Sequence, residues 1–288
     1  MLHHAIRHLA WTAATVIAAA LAGCDRGPDR STPEGTLAAA RWAVERGEAN
    51  RIGDYIFAEN EDTRRLFRRL GVFLGNVQRL GETIRAKFPA EVETLRVAAE
   101  KAAAEGKSTS LVSQLASQMR PGRGRRNSPP AMAGDDSARQ AFDNALKNLF
   151  ADPYGWVRES EKRLTTTFLT DTSVALMWDE KPILPPIGMV MRRDEKDGRW
   201  YFALPTNLPG VSNFMPKTKE QFEIFGGLIK VFDQVVVDLR NDIDEGRLTT
   251  LDEVSRAAGE KTFLPAALTV FAYARLTDSQ KKEASAPK

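Results

Sequence analysis

Apolar positions recur at helical spacing through most of the chain and switch to alternation in one short central region. Between residues 61 and 88, Leu66, Leu70, Phe73, Val77, Leu80 and Ile84 follow one another in steps of three and four, which predicts a long helix with one continuous apolar face. Earlier, Thr32 as cap, Pro33 in the first turn and Glu34 beside the positive end predict a helix start, with Gly47 as its stop. "ANRIGDYIF" reads as a short second helix or turn. Helices are also expected over 89–105, 108–119, 137–151 and 154–163. Near the C-terminus, Phe222, Phe225, Ile229, Phe232, Val236, Leu239 and Ile243 line one face of a helix ending at Gly246. Thr250 and Glu253 then form a capping box for a further helix, with a restart at Pro265.

From residue 163 the period drops to two. "RLTTTFLT" and "SVALMW" are strand-like runs on either side of the turn "DT". "PIGMVMRR" and "RWYFAL" flank "DEKDG", a hairpin signal in which Gly198 supplies positive φ. Alternation sends Trp200 and Phe202 to one face of the sheet and Tyr201 to the other. The fold class expected is α+β and predominantly helical, with a small antiparallel sheet of three or four strands against long amphipathic helices. The organisation expected is a leader at 1–23, a tether at 24–31, one domain at 32–277 with a disordered loop at 120–137, and a disordered tail at 278–288. The loop, "RPGRGRRNSPPAMAGDDS", is rich in Pro, Gly and charge.

The first residues obey neither period. Leu9 to Ala22 is uncharged and follows Arg7 and three histidines. Fourteen residues at ~1.5 Å rise give roughly 21 Å of helix, short of a ~30 Å hydrocarbon core. A basic start, a short apolar middle and small residues at its end form the pattern of a secretory signal peptide. The run ends in Leu21-Ala22-Gly23-Cys24, "LAGC", which resembles the lipobox of bacterial prolipoproteins. The resemblance implies cleavage before Cys24, a diacylglyceryl group on its thiol, and acylation of the new amino terminus. Ala20-Leu21-Ala22 also fits the ordinary signal peptidase, whose cut would release a soluble chain starting at Gly23. Cys24 is the only cysteine, so no disulfide partner competes for it within the chain. Asp25, directly after it, resembles the enterobacterial signal for retention in the inner membrane. The localisation implied is the cell envelope, lipid-anchored and facing the periplasm.

Composition then narrows the chemistry. His3, His4 and His8 all lie in the leader, so a chain starting at Cys24 has no imidazole and, once acylated, no free thiol. Triads built on His and zinc sites built on His or Cys are excluded. What remains is carboxylate pairs, lysine bases or hard metals held by oxygen. The formal net charge is +3, and +2 without Arg7, which implies no bulk preference for nucleic acid. No cofactor and no metal site is expected. "NDIDEG", 241–246, lacks the spacing of a calcium loop.

One candidate binding surface stands out. Arg64, Arg65, Arg68, Arg69 and Arg79 collect opposite the apolar face of the long helix, where they suit an anionic partner or serve as a solvated face, with Glu61, Asp62 and Glu82 offsetting part of the charge. The acids Asp179, Glu180, Asp194, Glu195 and Asp197 fall in turns, where side chains stay wet, so no pKa raised toward 7 is expected. The opening helix together with strands ending "DGRWYFALP" is similar to exported domains with the fold of nuclear transport factor two, which implies helices packed in the concave face of a curved sheet. The expected function is a non-catalytic envelope lipoprotein that binds membrane lipid through its acylated cysteine and an envelope protein through its domain. The alternative is a tethered hydrolase or isomerase using carboxylates.

Overall fold

The computed structural model describes residues 27–104, 163–183, 188–204 and 215–285. Cys24 and Asp25, the expected helices at 108–119 and 137–151, the loop at 120–137, and the expected helix at 154–163 except its last residue lie outside the described residues. The protein is α+β and mainly helical, with one small antiparallel sheet.

Among the described residues the first element is α1, Pro33–Glu45, whose start follows its sequence signal: the Thr32 hydroxyl accepts from the Gly35 N–H at 3.0 Å. A 3-10 segment, Ala49–Tyr55, leads into α2, Glu61–Lys87, capped by the Asn60 side chain, and α3, Pro89–Ala104, follows. The sheet comprises β1 (Leu164–Thr170), β2 (Ser173–Trp178), β3 (Lys181–Pro182), β4 (Met189–Arg193) and β5 (Trp200–Ala203). Its order is β1-β2-β4-β5, and β3 continues the line of β4 along the far end of β2. Gly198 closes the β4–β5 hairpin at φ +70°. Two helices complete the chain: α4, Lys219–Asp244, and α5, Leu251–Ser285.

Two cores result. Register places Val174 opposite Met191 and Met191 opposite Phe202, so alternate residues share a face. On that face Val174, Leu176, Met191 and Trp200 bury against Leu37 of α1. The second core is helical. Val77, Leu80 and Ile84 of α2 meet Val235, Val236, Leu239 and Ile243 of α4, and Leu251, Val254 and Ala258 of α5 close it. Phe88 seals the α2–α3 junction. Polar links fix the register of these helices: Asn76 donates to Asp233 at 2.6 Å across α2 and α4, and Glu91 of α3 accepts the Leu251 N–H at 2.9 Å at the start of α5.

The 3-10 segment joins the cores, and glycines let it do so. A Cβ on Gly71 would come to 2.2 Å from the Asn50 carbonyl oxygen, and one on Gly53 to 2.1 Å from that of Phe67. Sequence alone reads the glycines of α2 as a source of bending; Gly71 instead permits backbone-to-backbone contact. Buried Gln78 completes the joint, donating to the Val44 carbonyl at 2.6 Å and accepting from the Ala49 N–H at 2.9 Å.

Two expectations at the C-terminus are corrected. Pro265 does not restart a helix but lies inside α5, although an interior proline costs about 3 kcal/mol. Tertiary contact holds the second half in line: Tyr273 meets Phe225 of α4 edge-on at 5.1 Å, and its hydroxyl donates to the Met215 carbonyl at 3.3 Å. The stretch from Asp278, expected as tail, continues this helix to Ser285. The capping box is also shifted by one residue on one side. Thr250 Oγ accepts from the Glu253 N–H at 3.2 Å, while the Glu253 carboxylate reaches the Thr249 N–H at 2.7 Å.

Candidate functional site

The outer edge of β5 is where the first described residues are held. Trp200 donates its N–H to the Arg30 carbonyl at 2.9 Å, and the Trp200 carbonyl accepts from the buried Thr36 hydroxyl at 3.1 Å. Further along, the Phe57 N–H donates to the Phe202 carbonyl at 2.8 Å. The edge that would invite another strand is thereby occupied. The Arg30 guanidinium lies 4.8 Å from the centre of the Tyr55 ring and 4.9 Å from that of Tyr201, and donates to the Asp54 carbonyl at 3.0 Å. Burial and the hydrogen bond to Asp197 push the Tyr201 hydroxyl above its ordinary pKa. A cation stacked between two rings and fixed by main-chain bonds makes this a clamp on the N-terminal segment.

Two of the turn acids, Asp179 and Asp197, are held in their ionised form by their neighbours. Asp179 and Glu180 form the two-residue β2–β3 connection, both at positive φ (48° and 64°). Arg163 holds Asp179 with a forked pair of hydrogen bonds while lying 4.8 Å from the centre of the Trp178 ring. The hydrogen bond from Arg163 keeps the Asp179 carboxyl below the usual aspartate range. For Asp197, burial pulls upward, but the Tyr201 hydroxyl, the Arg199 N–H and the charges of Arg199 and Arg30 together hold it low. A carboxylate held low is a poor proton carrier near neutral pH. Among the described residues, no group of three or more Asp, Glu, His or Cys is placed to hold a metal ion.

The arginines of α2 are brought to one exposed side, yet most are already engaged. Arg65 pairs with Asp62 at 2.6 Å and Arg68 with Glu61 at 2.5 Å, while Arg79 donates to Asn76 at 2.8 Å. Arg69 lies over Gly226 of α4, where a Cβ would come to 2.0 Å from its Nη1. Arg64 is exposed.

A different surface was not singled out from the sequence. On α5, Phe263, Leu264, Leu268 and Phe271 are 60–71% exposed. Leu264, Leu268 and Phe271 recur at steps of four and three, on the side of the helix opposite Tyr273, which docks on α4. The signal was present in the sequence, because Thr262 to Ala274 carries no charge while the helix around it does. Apolar side chains this large and this contiguous are unusual on the exterior of a helix. Phe168 and Leu169 on the edge strand β1 are similarly exposed, though Phe168 meets Trp200 edge-on at 6.0 Å. No protein-family model matches the chain, and no curated protein or solved structure matches it.

Proposed function

We propose that this protein is a bacterial envelope lipoprotein, held to the membrane through acylated Cys24, whose α+β domain binds a protein partner and catalyses no reaction. The observation that carries the binding role is the apolar row Leu264, Leu268 and Phe271 on the free side of α5. A row spaced at i, i+4 and i+7 suits a partner helix or groove. The low pKa values of Asp179 and Asp197 support a non-catalytic domain, since a neutral-pH acid or base needs the opposite shift. The leader and the "LAGC" sequence support the anchor, and Asp25 favours retention in the inner membrane. The α1-on-sheet core supports kinship in architecture with nuclear-transport-factor-two-like exported domains.

The test combines two variants in membranes of expressing cells. A photo-crosslinking residue in place of Leu268 is expected to give one discrete protein adduct. Leu264→Glu with Phe271→Glu is expected to abolish that adduct while leaving the circular dichroism melt intact, because Tyr273 still docks the helix on α4. An adduct that survives the double substitution, or none from wild-type surroundings, removes the proposed binding surface.

A further inference from the structure

We infer that the C-terminal end of α1 and the start of the 3-10 segment face the bilayer, with Trp42, Arg46 and Arg51 meeting phospholipid headgroups. The inference rests on the anchored reading above and adds an orientation to it.

Chain length supplies the first argument. From Cys24 to Gly27 is three residues, which at ~3.6 Å each span at most about 11 Å. Gly27 itself lies on the Trp42 ring: a Cβ there would be 3.0 Å from Cε3 and from Cζ3. With Cys24 acylated, the Trp42 ring therefore stays within about 15 Å of the acyl chains, close to the headgroup layer. The domain cannot drift away by releasing more tether, because Arg30 is clamped between Tyr55 and Tyr201 and its carbonyl is bonded to the Trp200 N–H.

Chemistry supplies the second. Tryptophan concentrates at membrane–water interfaces, where an apolar ring with one polar edge is at home. The Arg46 and Arg51 guanidinium carbons lie 4.9 and 5.1 Å from the Trp42 ring centre, and their side chains remain 47% and 40% exposed. A guanidinium is the side chain best shaped for a phosphate. Acids face these cations as well: Glu48 accepts from Arg51 at 2.9 Å and lies 3.9 Å from Arg46, Asp54 acts on Arg51, and Glu45 is exposed beside them. The patch is balanced rather than strongly basic. A tethered patch needs little intrinsic affinity, because the anchor raises its effective concentration at the membrane. A phospholipid surface fits this better than a second copy, since one tryptophan and two arginines fall far short of the ~800 Å² per partner of a standard protein interface.

The orientation is tested with a label. Once Cys24 is acylated, Glu45→Cys gives a single free thiol beside Trp42 that leaves both arginines in place. Arg256→Cys gives one on α5, which packs on α4, itself packed on α2, beyond the 3-10 segment. Each variant is labelled with a fluorophore and reconstituted in phosphatidylethanolamine–phosphatidylglycerol vesicles bearing a quencher on the headgroup. Quenching at 45 is expected to exceed that at 256 by at least threefold, and Arg46→Glu with Arg51→Glu is expected to bring the two together. Equal quenching at 45 and 256 in protein that partitions into detergent overturns the orientation alone. Protein that stays in the aqueous phase removes the anchor, and the inference with it.

Discussion

Gln78, one turn past the middle of α2, donates its side-chain amide to the main-chain carbonyl of Val44 at 2.6 Å. Its carbonyl meanwhile accepts the Ala49 N–H at 2.9 Å, so one side chain satisfies two main-chain groups where α1 ends and the 3-10 segment begins. Gln78→Leu keeps the volume and strands the Ala49 N–H, while the Val44 carbonyl keeps the Gly47 N–H at 3.1 Å. A loss of about 1–3 kcal/mol is expected, read as a lowered urea midpoint with unchanged slope.

The close approach of the 3-10 segment makes two glycine substitutions diverge. Gly71→Ala drives a Cβ into the Asn50 carbonyl and is expected to destabilise by at least about 2 kcal/mol, although alanine favours a helix by ~1 kcal/mol. Gly227, in α4, has open space around it. Gly227→Ala is expected to stabilise by about 0.5–1 kcal/mol. Thermal melts of the two variants should shift in opposite directions.

Much of this arrangement could be read in advance, and what could not shares a cause. Thr32 and Pro33 announce α1, and Gly198 announces the β4–β5 turn, because caps and turns are decided by residues a few positions apart. The box in which Thr218 and Gln221 cap α4 reciprocally is equally local, three residues apart. β3 is two residues long and has no period to detect. The Arg30 clamp joins residues 171 positions apart, so no window of sequence contains it. The same holds for Gly71, whose purpose depends on Asn50 arriving from another element. Pro265 misled for the complementary reason: a local breaker was overruled by the docking of Tyr273 on Phe225.

Acid should loosen the α4–α5 turn. Asp242 accepts from Lys261 at 2.7 Å and from Arg247 Nε at 2.9 Å, and these bonds, Lys261 first, hold its carboxyl below the ordinary 3.8. A pKa lower in the folded chain than in the unfolded one stabilises the fold fully above the unfolded value, and that stability is lost as pH falls through the folded value. Asp242→Asn is therefore expected to lower the melting temperature at pH 7, by roughly 1–2 kcal/mol of stability, and to flatten the decline as pH falls through and below the ordinary 3.8. Parallel acid limbs for the variant and wild type would contradict this.

The ion pairs on α2 should matter little to stability. Arg65 and Arg68 are 60% and 52% exposed in their pairs with Asp62 and Glu61. Arg65→Ala and Arg68→Ala are each expected to change unfolding free energy by less than about 1 kcal/mol, with the difference shrinking further in 0.5 M salt.

The proposed anchor has its own signature. Cys24→Ala is expected to move the protein from the detergent phase to the aqueous phase, and the wild-type chain to carry a diacylglyceryl mass on Cys24. A free amino terminus at Gly23 would show release by the ordinary peptidase instead.

The pairing of α2 with α4 also sets a timetable. Lys87 and Lys219 are 132 residues apart, and the apolar face of α2 waits for α4 before it can be covered. At ~5–20 residues per second of synthesis, that wait is roughly 7–26 s. The sheet core has a similar delay, because Leu37 is met only by strands that begin at Leu164. Neither core can close on an early half of the chain. Under the export proposed above, late closure keeps the emerging polypeptide threadable, and leaves the apolar face of α2 uncovered until the last third has followed.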